Sequence, residues 1–236
     1  MRPLAVFRFS PTEGPGYFGQ WLDRQRLGRQ LIALDRGDPV PRDARAFAGI
    51  GLMGGPMGVN DDLPWIEPVL ALLRDAVDAG VPVLGHCLGG QLLAKALGAA
   101  VKRAAAPEVG WLDVTATDAA ARDAWFGGRA SFTTFQWHYD TFALPRGALR
   151  VLTNGYTAEQ GFVVDDRHLG LQGHVEMTPE LVATWLETGV AELPAATRAG
   201  VQCAADIRTA LAERIAALNA VADTVYTRWA EGLVRA

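Results

Sequence analysis

Cysteine is scarce in this chain, basic runs are missing, and no apolar run is long enough to cross a bilayer. Two cysteines occur in 236 residues, Cys87 in a glycine-rich turn and Cys203 in an alanine-rich stretch that reads as helix, so no disulfide framework is expected. Acidic and basic residues are interspersed at a formal net charge of −4, which leaves no electrostatic footprint for nucleic acid or an anionic membrane. Residues 1–10 lack the apolar core and small-residue cleavage site of a secretory leader. Internal repeats and low-complexity linkers are absent too. The expectation is a cytoplasmic chain, half of it hydrophobic, with one sizeable core and small molecules as ligands.

Periodicity supplies the organisation. Residues 4–9 read as a strand, 14–27 as a loop entering a short helix, and 30–34 and 46–53 as further strands. Leu63, Ile66, Leu70, Leu73 and Val77 recur at spacings of three or four and predict a helix over 63–79, with Asp61 and Asp62 at its positive end. The wholly apolar 81–84 suits a strand buried on both faces of a parallel sheet, and 91–97 continues as helix until Gly98 stops it. Beyond Gly98 the segments shorten and alternate, at 110–117, 130–134, 150–154, 160–164 and 170–172, and read as strands of a mixed sheet. Residues 179–187 are helical. Val201, Ile207, Leu211, Ile215, Leu218, Val225 and Trp229 then form an apolar helical stripe from about Thr197. The expected architecture is an α/β domain over 1–196 with a helical extension over 197–236, packed on the chain's own core or serving as a homodimer surface.

The strongest local signal is Gly85-His86-Cys87-Leu88-Gly89-Gly90-Gln91, a tight turn between a buried strand and a helix with a thiol at its apex. It reads as a nucleophile elbow with Cys in place of Ser. The glycines permit the sharp turn, and the helix beyond it points unpaired N–H groups and its positive end at the sulfur. A glycine-flanked Cys alone fits a buried structural thiol equally well. The second motif, Leu169 to Glu176, breaks that tie. His174 and Glu176 lie two apart in extended chain and so project to one side, where Glu176 can hold one imidazole nitrogen and leave the other for the thiol.

With Met53-Gly54-Gly55-Pro56 and Trp137-His138-Tyr139-Asp140 added, the chain resembles the class I glutamine amidotransferases, the triad glutaminases, and especially stand-alone members related to the glutaminase domain of GMP synthase. The resemblance covers about the first 190 residues. It implies a flavodoxin-like α/β fold, mostly parallel and flanked by helices, and a γ-glutamyl thioester on Cys87, with His174 moving protons and Glu176 orienting it. It also implies an oxyanion hole of the Gly55 and Leu88 N–H groups. Met57, the Gln91 side chain, Tyr139 and Asp140 would hold the glutamine head group. No cofactor or metal is implied. The partner is glutamine or a γ-glutamyl compound, and a further candidate is a separate synthetase subunit.

Two residues depart from the family pattern. Val175 replaces a usual Pro and suits extended backbone, whereas His86 replaces an aliphatic residue and reads as a hydrogen-bonded core histidine or as a neighbour tuning Cys87. His138 is either a wall of the substrate pocket or structural. Gly51 to Gly55 has the wrong spacing for a dinucleotide loop, His168 with Asp165 and Asp166 reads as a solvated turn rather than a metal site, and Cys203 reads as structural. Three functions follow: a glutaminase supplying ammonia to a synthetase, a self-contained γ-glutamyl hydrolase or peptidase, and a regulatory module without catalysis.

Overall fold

A computed structural model describes residues 2–234. Its strands are β1 (Leu4–Arg8), β2 (Arg29–Ala33), β3 (Ile50–Leu52), β4 (Val83–His86), β5 (Val101–Ala116), β6 (Ser131–Phe142), β7 (Leu149–Thr153), β8 (Gly161–Val164) and β9 (His168–Leu171). They form one sheet in the order β2-β1-β3-β4-β9-β8-β7-β5-β6. The half from β2 to β9 is parallel, and every pairing from β9 to β6 is antiparallel. The short apolar strands β1, β3, β4 and β9 are buried on both faces, which suits that central parallel half.

Helices cover both faces. On one side α2 (Ile66–Asp78) and α3 (Leu88–Ala96) pack Leu70, Leu73, Leu92 and Leu93 against Phe7, Ile50 and Leu52. On the other, α1 (Gly16–Arg24), α4 (Ala119–Phe126), α5 (Pro179–Thr188) and the long α7 (Leu211–Glu231) enclose a second core of Phe18, Trp21, Trp125, Trp185 and Trp229. The arrangement is a flavodoxin-like three-layer α/β fold, with the short α6 (Ala204–Arg208) leading into α7.

Three expectations are corrected. The antiparallel half holds two long strands, β5 and β6, where only 110–117 and 130–134 read as strand. Pro107, the alanines at 104–106 and a register shift between Arg103 and Glu108 interrupt the alternation that would have revealed the rest. Helix α4 was not anticipated, although the Asp118 carboxylate caps Ala121 N–H at 2.8 Å and Gly127 ends it at φ +60°. At the C-terminal side Val201 bridges Val109 and Arg198 in extended chain, Cys203 is the partly exposed residue capping α6, and Ala210, at φ +51°, breaks the helix before α7. The apolar stripe itself is covered by the chain. Ile215, Leu218, Val225 and Trp229 are buried, and the Tyr226 and Trp229 rings lie 4.9 and 5.7 Å from Phe18. No described helix is long and apolar enough to cross a membrane.

Candidate active site

In an open α/β sheet, ligands bind beyond the carboxyl ends of the strands, near the point where the strand order reverses. Here the chain runs outward from β1 to β2 and then returns to β3 on the other side of β1, so that point lies between β1 and β3. The loops leaving β1, β3, β4 and β9 converge there over a cavity of about 550 Å³.

The loop after β4 carries Cys87. Its backbone sits at φ +48°, ψ −107°, a conformation that costs a non-glycine residue on the order of 1–3 kcal/mol and is held by its surroundings. Cys87 N–H donates to the Leu171 carbonyl at 2.9 Å, and α3 starts at the next residue. A Cβ on Gly89 or Gly90 would stand 2.5 Å from Leu52 Cβ or the Leu171 carbonyl oxygen, so the turn fits only because both are glycine. Gln172 Nε2 approaches the sulfur at 3.8 Å.

His174 and Glu176 enter from the loop after β9. His174 Nδ1 donates to Glu176 Oε1 at 2.6 Å, and the ring stands edge-on to Trp185 at 4.7 Å. Burial opposes a charge on His174, but the Glu176 carboxylate and the Cys87 sulfur beside it outweigh burial and raise it well above the usual histidine range. Glu176 is likewise penalised by burial, yet the hydrogen-bonded His174 beside it holds its carboxyl below the ordinary glutamate value. His174 Nε2 has no partner among the described residues, and His174 lines the same cavity as Cys87.

From the loop after β3, Gly55 lines the cavity beside α3. A Cβ on Gly55 would stand 2.6 Å from both Leu88 Cδ2 and Met57 Sδ, which makes these three residues neighbours. The N–H groups of Gly55 and Leu88 donate to no acceptor among the described residues. β6 forms the opposite wall with Trp137, His138, Tyr139 and Asp140. Gln91 Nε2 is committed to the Asp140 carbonyl at 3.1 Å and to Gln172 Oε1 at 3.4 Å, and the same carbonyl accepts from His138 Nδ1 at 3.0 Å. Tyr139 OH donates to Glu192 Oε2 at 2.6 Å, joined there by Trp137 Nε1 at 3.0 Å. Burial and that carboxylate raise the phenol strongly.

Behind the wall, His138 Nε2 faces Glu108 Oε1 at 3.4 Å, and Glu108 also takes hydrogen bonds from Gln160 and Asn154. Burial works against the Glu108 anion, but His138 above all, with Thr157 and Asn154, keeps its carboxyl below the usual range. His86 is buried under the elbow with Nδ1 3.2 Å from the Leu52 carbonyl, and burial lowers its affinity for a proton.

Seven of the nine residues expected at the site, Gly55, Met57, Cys87, Gln91, Tyr139, Asp140 and His174, line the cavity, with Leu88 and Glu176 directly behind. Two details differ. His168 is not in a solvated turn but buried in β9, where burial lowers it to about 4, while Asp165 and Asp166 stay exposed in the turn before it. Among the described residues no group of three His, Cys, Asp or Glu is placed to hold a metal ion. Sequence reading also missed Glu13, a half-buried carboxylate in the loop after β1 that lines the cavity. Its only signal was position, in the first loop beyond a strand that was itself legible.

Comparisons with known proteins identify the family. The family model described as glutamine amidotransferase class-I matches residues 27–192. A glutamine amidotransferase of known structure from Methylobacillus flagellatus is 42% identical with a TM-score of 0.97, over 100% of this chain and 97% of that one. A putative glutamine amidotransferase-like protein, YfeJ, of Salmonella typhimurium is 28% identical over 77% of this chain and 78% of its own length. One of the subunits of the glutamine-hydrolysing GMP synthase of Sulfolobus acidocaldarius is 31% identical over 66% of this chain and 80% of its own length. With most of its sheet inside the matched stretch, this chain belongs to the class-I glutamine amidotransferase family.

Proposed function

We propose that the protein hydrolyses the side-chain amide of glutamine through Cys87, His174 and Glu176. The observation that carries the reading is the His174–Glu176 pair, joined at 2.6 Å through Nδ1, with the unpartnered Nε2 in a residue that shares its cavity with Cys87. Cys87 Sγ attacks the amide carbon, and the carbonyl oxygen gathers charge near the free N–H groups of Gly55 and Leu88. As the tetrahedral species collapses, His174 gives a proton to the departing nitrogen and ammonia leaves a γ-glutamyl thioester on Cys87. His174 then takes a proton from water, which attacks the thioester and releases glutamate. Glu176 holds the imidazole in register and stabilises its charge. Met57, Gln91, Tyr139 and Asp140 line the space for the amino-acid head group.

A second reading is favoured by the cavity, whose volume of about 550 Å³ falls in the range that accommodates drug-sized ligands. A γ-glutamyl amine or peptide fits such a space, and the same chemistry then makes the protein a self-contained hydrolase. Ammonia transfer to a separate synthetase subunit is the role suggested by the GMP synthase relative.

Turnover of glutamine, γ-glutamyl peptides and γ-glutamyl amines by the isolated protein separates these readings. Glutamine hydrolysis with a γ-glutamyl adduct trapped on Cys87 supports the first, and faster cleavage of larger γ-glutamyl compounds supports the second. Neither turnover nor an adduct on Cys87 with any of them would leave only a regulatory module.

A further inference from the structure

Four carboxylates line the cavity, those of Glu13, Asp61, Asp140 and Glu192. Three are engaged: Asp61 Oδ2 accepts from Gly58 N–H at 2.9 Å, Asp140 Oδ1 lies 3.7 Å from the Arg103 guanidinium, and Glu192 Oε2 takes both Trp137 and Tyr139. Glu13 has no donor among the described residues. Its surroundings explain why it stays in place without one. Thr12 O accepts from Trp185 Nε1 at 2.9 Å, Glu13 N–H donates to Ser10 O at 3.1 Å, and Tyr17 N–H donates to Glu176 O at 2.8 Å, so the loop is fastened on both sides of the carboxylate.

The position of that carboxylate is specific. A Cβ on Gly54 would run into Glu13 Oε2 and stand 2.9 Å from His174 Cε1, so the two side chains crowd the same point and only a glycine at 54 leaves room for them. Cε1 joins the two ring nitrogens, and Glu176 already occupies the Nδ1 side. Glu13 Oε2 therefore lies close to the Cε1 edge of the imidazole, and Cε1 adjoins Nε2, the atom to which the reading above assigns the proton transfer. The next residue along the chain from Gly54 supplies one N–H of the proposed oxyanion hole.

We propose that Glu13 is a catalytic residue that accepts an N–H hydrogen bond from the departing amine, and that the site is thereby built for γ-glutamyl amides over γ-glutamyl esters. The inference rests on the hydrolytic reading above. When the C–N bond breaks, its electron pair leaves with nitrogen, nitrogen takes the proton from His174 Nε2, and the carbonyl double bond re-forms. The nitrogen carries positive charge between protonation and departure. A carboxylate beside it interacts more strongly in that transition state than with the neutral amide, which is the condition for accelerating the step. Glu13 gains and loses no proton in the balance. An ester offers no N–H and develops no such charge, so the interaction is absent for it.

The test compares glutamine with the γ-methyl ester of glutamate as substrates for wild type, Glu13→Gln and Glu13→Leu. Both substrates form the same thioester, so any effect on its hydrolysis is shared. We expect kcat/KM for glutamine to fall by about 10²-fold in Glu13→Leu, the scale for loss of one pre-aimed electrostatic partner, and less in Glu13→Gln, which keeps an accepting oxygen. The ester should stay within about threefold of wild type, since it never used the interaction. Equal losses for amide and ester would make Glu13 a support for the loop or for His174 and overturn the proposal, as would no loss for either. If Glu13→Leu fails to fold, the near-isosteric Glu13→Gln decides by the same ratio. Wild-type protein that turns over neither substrate, and no γ-glutamyl peptide or amine either, would instead sink the hydrolytic reading itself.

Discussion

Tyr226, near the end of α7, places its hydroxyl 3.3 Å from Nε2 of His86, the residue immediately before Cys87. The direction of this hydrogen bond follows from the other side of the ring. His86 Nδ1 faces the Leu52 carbonyl, which can only accept, and burial keeps the ring from taking a second proton. The proton therefore sits on Nδ1, and Nε2 accepts from Tyr226. The C-terminal helix thus supports the strand end from which the elbow springs, and His86 is a hydrogen-bonded core histidine.

Tyr226→Phe should leave a buried ring nitrogen without a donor and cost about 1–3 kcal/mol in denaturant unfolding. His86→Leu combined with Tyr226→Phe removes both partners, so the double variant should be clearly more stable than the sum of the single losses implies. Additive losses would mean that the two groups do not interact.

Cys87→Ala should reduce turnover of the best substrate by about 10³-fold or more while leaving the unfolding midpoint little changed. His174→Ala should be nearly as damaging. Glu176→Gln should be milder, because an amide can still accept from His174 Nδ1 while losing the charge that stabilises the imidazolium. Wild-type turnover in the Cys87 variant would reject the mechanism outright.

Trp229 is buried against Phe18, and its indole N–H has no partner among the described residues, so the side chain contributes through packing alone. Trp229→Ala should cost about 3–5 kcal/mol. Trp229→Phe, which retains an aromatic ring there, should cost less than half as much. A chain ending at Ala196 would uncover Phe18, Trp21 and His86 together, and thermal unfolding should show no cooperative transition.

Burial raises Glu13 from its ordinary 4.5 to about 7, with His174 opposing the shift and Glu176 adding to it. These are the two charged groups that face it from the loop after β9. A carboxyl with a raised value binds its proton more tightly when folded, so its contribution to stability is complete below about pH 4.5 and is lost as pH rises through about 7. Glu13→Gln lacks that loss. The stability of the variant relative to wild type should grow by on the order of 1–3 kcal/mol between pH 4.5 and 8, measured by urea unfolding at both. A constant difference would show that Glu13 titrates normally.

The nucleophile and its base were legible because their chemistry is tied to short, contiguous patterns. Glycines at 85, 89 and 90 are required by backbone contacts with Leu52 and Leu171 and within the elbow itself, and that requirement survives in the sequence as a motif. The same holds for His174 and Glu176, whose separation of two is itself the geometry. Glu13 was not legible, because what makes it unusual is the lack of a partner and a meeting with Gly54 and His174, residues 41 and 161 positions away. His168 was misjudged by its exposed neighbours Asp165 and Asp166, although β9 turns it into the core immediately after them. The long β5 was hidden by its own bulge. Trp229 and the rest of the stripe announced burial, but the partners that bury it, Phe18 and Trp21 on α1, lie some two hundred residues earlier in the chain.

The segment after β1 is fastened to Trp185 through Thr12 in the loop and to the Glu176 carbonyl through Tyr17 at the start of α1, so the mouth of the site has no hinge of its own on that side. Release of the Tyr17 amide to solvent requires the segment bearing Glu176 to come away with it. In hydrogen–deuterium exchange the Tyr17 amide should therefore keep pace with the central strands rather than with surface turns. Heating then has no early, reversible stage in which this edge frays while the fold persists, and loss of activity should track loss of the whole structure.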